Sequence, residues 1–228
     1  MDPSPPGAAK RDARSTPERV ADAITRAILK RRVKVGQRLV EADLMRELGV
    51  GRSTVREALR LLSAHGVVEL APHRGAVVRA LSREDADELL GVIEVLCGLA
   101  ARLAAQRLDH GAQRRRFEAA ARALVEPRGE AELARLLDAR AAYYRVMFEV
   151  AGNPELDRAL PQPRVHLFRT QFYDYLTRAD LRAMVAEYRG ITDAILAGDA
   201  PLAEKRMRRH IVKTGERTLP RLGPPGSG

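Results

Sequence analysis

The residues best suited to do chemistry sit in the stretch Gly49–Val68, GVGRSTVREALRLLSAHGVV. Arg52 and Arg56 are four residues apart, the spacing that puts two side chains on one face of a helix. Val55, Ala58, Leu59 and Leu62 turn to the other face. A guanidinium presented in this way carries the fork of donors that matches O6 and N7 of a guanine in the major groove of DNA. Ser53 and Thr54, at the positive end of the same helix, suit phosphate oxygens. The plainer alternative is a solvated helix face on which Glu57 pairs with Arg60. Gly49–Thr54 also looks superficially like the phosphate loop of an NTPase, but its spacing fails that pattern and no strand precedes it. No nucleophile elbow or paired-His motif occurs, so the chain is expected not to be an enzyme.

Such a reading helix needs a small scaffold, and the flanking residues supply one. Thr16–Pro17–Glu18 starts a first helix, with Thr16 as its cap and Val20, Ile24, Ala27 and Ile28 on one apolar face; it ends near Arg32. Gly36 breaks the chain. Glu41–Leu48 and Ser53–His65 then read as two short helices with helix-turn-helix spacing. Val67–Leu70 and Ala76–Arg79 are β-prone runs joined by a Pro/Gly turn, a small hairpin. Three helices followed by a hairpin make a winged helix-turn-helix over residues 16–80. Charge agrees: of the net +10, an excess of seven basic residues lies in residues 1–80 and of three in the remainder. A basic module of this kind gains by releasing counterions from a polyanion. Residues 1–15 read as a disordered arm whose Lys10, Arg11 and Arg14 either touch phosphates or do nothing.

At residues 18–80 the sequence resembles the DNA-binding domain of the GntR family of regulators. The resemblance is carried by Ile24–Ile28, Gly36–Leu39, the ELGVGRSTVREAL run at Glu47–Leu59, Leu62–Gly66, and Arg74-Gly75 followed by Val77-Val78. It implies contact with double-stranded operator DNA by Arg52 and Arg56, support from Arg38 and Ser53, and a wing tip of His73, Arg74 and Gly75 at the minor groove or backbone. Two positions depart from the pattern, Val35 in place of Pro and Gly51 in place of Ser.

Residues 81–218 read as a second, all-helical domain, followed by a tail at 219–228. Aromatic residues make up 4% of the chain and Trp is absent, while Ala, Leu, Arg and Glu dominate, a helical vocabulary. Breaks at Gly111, Pro127–Gly129, Gly152–Pro154, Pro161–Pro163, Thr177–Asp180 and Gly198–Pro201 divide it into six or seven helices. The lone Cys97 lies in an apolar helical stretch and is expected to pack as a small hydrophobe. No run of 18 apolar residues and no signal peptide is present, which fits a cytoplasmic protein without a membrane partner. The fold class is therefore mainly α: an N-terminal winged helix-turn-helix joined to an all-helical, ligand-binding C-terminal bundle.

Domain size, helix count, the Ala151-Gly152-Asn153-Pro154 break and the run DAILAGD at Asp193–Asp199 resemble the FCD effector domain of the FadR subfamily. Many members of that subfamily hold a divalent metal with an Asp, a His four residues later and two further His. Aligned on Gly152-Asn153 and the last His, those positions hold Arg140, Tyr144, Tyr188 and His210. An Arg stays protonated and repels a cation, so no metal cofactor is expected. His166 is a conceivable substitute ligand, but a lone His on a helix more often makes an ordinary hydrogen bond. Arg140, Tyr144, Tyr188 and His210 would instead bind an anionic effector, with Arg140 taking the metal's place; the alternative is a structural ion pair at Arg140. The relatives' pocket Arg and Glu on the domain's first helix appear as Ile93 and Cys97, which makes the cavity more apolar and the effector partly hydrophobic. The whole reads as a homodimeric, ligand-responsive regulator, a repressor released by a small anionic metabolite. A constitutive or architectural DNA-binding dimer without an effector is the competing reading.

Overall fold

A computed structural model describes residues 15–71, 75–126, 132–160, 162–172 and 175–221. The chain divides into two compact units, one ending at Ala80 and the other beginning at Leu81. The expected arm through Arg14, the wing-tip residues His73 and Arg74, and residues 222–228 lie outside the described residues.

In the first unit α1 (Thr16–Leu29) is followed by β1 (Arg38–Leu39), α2 (Glu41–Leu48), α3 (Arg52–Ala64), β2 (Val68–Ala71) and β3 (Gly75–Val78). Ser15, rather than Thr16, caps α1: its hydroxyl accepts from the Glu18 amide while the Glu18 carboxylate accepts from the Ser15 amide. Ser15 thus belongs to the folded unit and not to the arm. Val20, Ala21, Ile24 and Ile28 of α1 are buried, and α1 packs against α3, whose Val55, Ala58, Leu59 and Leu62 are buried. Gly49 closes α2 with φ of 64°, a left-handed turn that sends the chain into α3. The sheet has the order β1-β3-β2, all antiparallel, with Arg38 opposite Val77 and Glu69 also opposite Val77. β1 adds a strand to the expected hairpin. Gly75 has φ of 81°, and a Cβ there would stand 2.8 Å from the Leu39 carbonyl oxygen, so the wing closes on β1 only with glycine at that point.

The second unit contains α4 (Arg83–Arg107), α5 (Ala112–Val125), α6 (Glu132–Ala151), α7 (Pro154–Ala159), α8 (Gln162–Phe172), α9 (Arg178–Leu196) and α10 (Ala200–Thr218). Capping boxes at Ser82/Asp85 and Thr177/Asp180 start α4 and α9; Asn153 and Asp199 cap α7 and α10. Residues Leu219–Arg221, expected as tail, form a 3-10 turn with Leu219 buried. α10 packs along α4, and α6 and α9 complete the bundle around them. Small residues make the close approach possible: Ala100, Ala101, Ala104 and Ala203 are fully buried. The buried face of α4 runs through Leu89, Leu90, Ile93 and Cys97, leaving Val92 and Val95 half exposed. Phe117, Tyr143 and Tyr188 are fully buried and touch in sequence, with ring centroids 5.3 and 5.4 Å apart. The Gln171 side chain of α8 clasps Leu81, accepting from its amide at 2.9 Å and donating to its carbonyl at 2.8 Å.

Candidate functional site

Two sites take shape, one in each unit. In the first, Arg38, Arg52, Arg56 and Gly75, which the sequence assigned to one task, are brought together by the sheet and α3 around a hollow of about 520 Å³ that Arg60 also lines. Ser53 is exposed and Thr54 half-buried in the first turn of α3, which carries no acidic residue. The amides and dipole at that end are left available to an anion. The pair Glu57–Arg60 does form, at 3.4 Å. It sits beside the arginine face and leaves Arg52 and Arg56 exposed. Sequence reasoning missed Glu41, whose carboxylate accepts from Arg56 Nε with both oxygens at 3.1 Å and lies 4.0 Å from Arg52 Nε. Glu41 is only a quarter exposed, and it holds Arg56 on the open face of α3.

In the second unit Arg140 and Tyr144 of α6, Tyr188 of α9 and His210 of α10 converge. The Arg140 Nε–H donates to the Tyr188 hydroxyl, which lies 3.0 Å from His210 Nε2 and 3.4 Å from the Tyr144 hydroxyl. His210 Nδ1 is 2.7 Å from the Glu187 carboxylate, which also pairs with Arg217 and, at 3.4 Å, with Lys213. Burial pushes the His210 imidazole toward its neutral form against the pull of Glu187. A neutral His210 then donates through Nδ1 to the Glu187 carboxylate, with Nε2 facing the Tyr188 hydroxyl. Burial opposes the charge on Arg140, but Tyr188 and Tyr144 more than offset it and its pKa is raised.

Beside this cluster lies a cavity of about 330 Å³. Arg140 and Tyr144 line it; Tyr188 and His210 stand behind them and orient them rather than reaching the cavity. Its apolar wall comes from Leu90, Ile93, Phe148, Val165, Phe168 and Ile211. Cys97 is also in the lining, its thiol pushed up to about 12 by burial, which Arg140 and Arg169 only partly counter. α8 contributes two residues that the alignment did not single out as effector ligands, His166 and Arg169. Burial and the neighbouring Arg169 lower the His166 pKa to about 4, so the ring is neutral near pH 7.

Residues 16–78 match the family described as bacterial regulatory proteins, gntR family, and residues 88–213 match the FCD domain. The chain belongs to the GntR family. It is 30% identical over 204 residues, 89% of each chain, to a "Probable D-xylose utilization operon transcriptional repressor" of Paenarthrobacter nicotinovorans. It is 24% identical over 78% of its length, and 80% of the other's, to the "Uncharacterized HTH-type transcriptional regulator YdhC" of Bacillus subtilis (strain 168). Its fold is that of a putative GntR regulator from Rhodococcus sp. RHA1, with TM-score 0.75, 22% identity, and coverage of 92% of this chain and 100% of that one. E. coli McbR/YncC shares the fold at TM-score 0.74 and 18% identity, over 88% and 95% of the two chains. This GntR regulator is thus a DNA-binding transcription factor with an effector-binding FCD domain, not an enzyme. Among its described residues no helix is long and apolar enough to cross a membrane.

The donor set does not fit the divalent metal held by many FCD domains. Its first position is a fixed cation, two others are phenols, of which burial raises the Tyr144 pKa well above its ordinary value, and His210 alone is a metal-type ligand. Among the described residues no group of three or more His, Cys, Asp or Glu is placed to hold a metal ion.

The Glu187 cluster gives a pH signature. Burial alone would raise the Glu187 pKa, but hydrogen bonds from His210 and Arg217 outweigh it and lower the value from 4.5 to about 2. A depressed carboxylate contributes stability that is complete above its unfolded pKa and is lost as pH falls through the folded one. Acid unfolding of the protein should therefore steepen between pH 5 and 2, and Glu187→Gln should flatten that limb while lowering stability at pH 7. Circular dichroism melts across this range check it; an acid limb unchanged in the variant would remove Glu187 from the account.

Proposed function

We propose that this regulator is a homodimeric, metal-free repressor that reads a short pseudo-palindromic operator and leaves it when a small, anionic, partly hydrophobic metabolite enters the FCD cavity. The observation that carries the proposal is Arg140, a buried guanidinium lining an otherwise largely apolar cavity and oriented by Tyr188. A charge in that position is matched by a ligand carboxylate or phosphate through short, charge-assisted hydrogen bonds. On the DNA side, Arg52 and Arg56 read base edges, Arg38, Ser53 and Thr54 take phosphates, and the wing at His73, Arg74 and Gly75 adds a groove or backbone contact. One short reading helix makes few base contacts, and two-fold symmetry doubles them. Exposed Val92 and Val95 on α4 offer apolar surface to a second copy.

Effector and operator bind different units, so they communicate through a two-state arrangement and the coupling is reciprocal. Calorimetry should show that operator DNA selected from a random library changes effector affinity by the same factor as effector changes operator affinity. Effector binding indifferent to operator DNA would exclude the release mechanism, and a monomer footprint on an asymmetric site would exclude the dimer.

A further inference from the structure

We propose that α8 supplies a two-point recognition element in the FCD cavity, Arg169 for the effector's anionic head and His166 for a hydroxyl beside it, and that the pair rejects amino acids. The inference deepens, and rests on, the reading of this cavity as an effector site.

α8 is anchored by Val165, Leu167, Phe168 and Phe172, all buried, with the Phe168 and Phe172 rings stacked 4.3 Å apart. His166 and Arg169 are three residues apart on this helix, neighbours on its surface, and both line the cavity. Arg116, Arg208 and Arg217 of the same unit meet Glu149, Glu94 and Glu187. Arg169 is placed differently. Its guanidinium lies over the Tyr144 ring, 5.9 Å from the centroid, and its buried Nε has no hydrogen-bond partner. Burial, and then the like charge of Arg140, bring its pKa down to about 10, so it remains a cation near neutral pH. His166 shares the trait: its Nδ1 is buried without a hydrogen-bond partner, so the ordinary hydrogen bond expected of a lone helical His is not made at that atom.

A buried polar atom left unpaired is costly, and two such nitrogens on neighbouring residues of one cavity lining are answered together by a ligand with two matching groups. A carboxylate accepts from the Arg169 Nε–H in a charge-assisted hydrogen bond. The His166 ring is neutral near pH 7 and so carries one N–H and one lone pair. A hydroxyl both donates and accepts, and it meets Nδ1 in either tautomer. An ammonium in the same place is disfavoured. Burial and the charge of Arg169 already lower the His166 pKa to about 4, and the same two effects act against a ligand cation there. The acidic residues of the lining, Glu149 and Asp157, are exposed, and Glu149 is already engaged by Arg116. The apolar wall formed by Ile93, Phe148, Val165 and Phe168 takes the rest of the molecule.

The test is calorimetry on the full chain at pH 7.5 with three probes of one carbon skeleton: 2-hydroxyhexanoate, hexanoate and 2-aminohexanoate. The hydroxy acid is expected to bind about threefold to tenfold more tightly than hexanoate, the size of one neutral hydrogen bond, and the amino acid more weakly than either. His166→Phe should abolish the advantage of the hydroxyl while leaving hexanoate binding little changed, a selective effect that a merely structural role would not produce. Arg169→Met should weaken hydroxy acid and hexanoate alike by at least about tenfold, the size of a charge-assisted contact. Arg169→Lys, which keeps the charge and loses the Nε–H, should show a smaller loss; it and His166→Leu decide the matter should either first variant not fold. Hydroxy acid and amino acid bound equally, a hydroxyl advantage that survives at His166, or carboxylate binding untouched at Arg169 overturns the proposal while leaving the cavity an effector site. Failure of all three probes to bind overturns the cavity reading itself.

Discussion

Replacing Arg56 with Ala is expected to weaken specific operator binding by about 1–3 kcal/mol per half-site, the value of a bidentate guanine contact, while non-specific binding changes far less. The structure adds a second component. Glu41 is held by Arg56 through both carboxylate oxygens at 3.1 Å, and without that partner its negative charge faces the surface presented to the phosphates. Part of the loss in Arg56→Ala is then repulsion by Glu41 and not a missing base contact. Adding Glu41→Gln should restore that part, whereas Glu41→Gln alone, which lets Arg56 swing free, should relax sequence preference more than it reduces affinity. Fluorescence anisotropy on operator and scrambled DNA over a range of salt separates the two. Full operator affinity in Arg56→Ala would place the reading face elsewhere.

The second large effect is a gain. Changing Arg140→Asp, Tyr144→His and Tyr188→His together should create a site that takes up stoichiometric zinc, because one carboxylate and three imidazoles would replace a cation and two phenols. The arrangement favours it: the Tyr188 hydroxyl stands 3.0 Å from His210 Nε2 and 3.4 Å from the Tyr144 hydroxyl. His210 already has the orienting carboxylate that metal-binding histidines use, since Glu187 at 2.7 Å fixes Nδ1 and turns Nε2 to the cluster. Zinc at a hundred times its dissociation constant should stabilise the triple variant by about 2.7 kcal/mol. Affinity for anionic probes should fall at the same time. Elemental analysis is decisive: a folded triple variant without zinc shows that the four positions do not form one site, and zinc in the unmodified protein that disappears with His210→Ala refutes the metal-free reading.

Much of the N-terminal unit was legible because its cues are local. Gly49 marks the left-handed end of α2, and the spacing of Val55, Ala58, Leu59 and Leu62 marks the buried side of α3. β1 was not legible: two residues, Arg38 and Leu39, carry no period of their own and become a strand only because β3 passes alongside. Ser15 lost out to Thr16 in the sequence reading because both are good caps, and only the reciprocal bond with Glu18 tells them apart. In the C-terminal unit the meeting of Arg140, Tyr144, Tyr188 and His210 could be foreseen from the family pattern, yet the division between residues at the cavity and residues behind it could not. Arg169 and Glu187 were missed for a common reason. An arginine or glutamate on a helix is usually solvated, and what makes these two different is the packing of α8 and α9 against other helices, a tertiary fact.

The clasp of Gln171 on Leu81 has a mechanical consequence. It ties Leu81, the first residue of the second unit, to α8 through both of its backbone polar groups, so the start of α4 is held in register with the helix that bears Arg169.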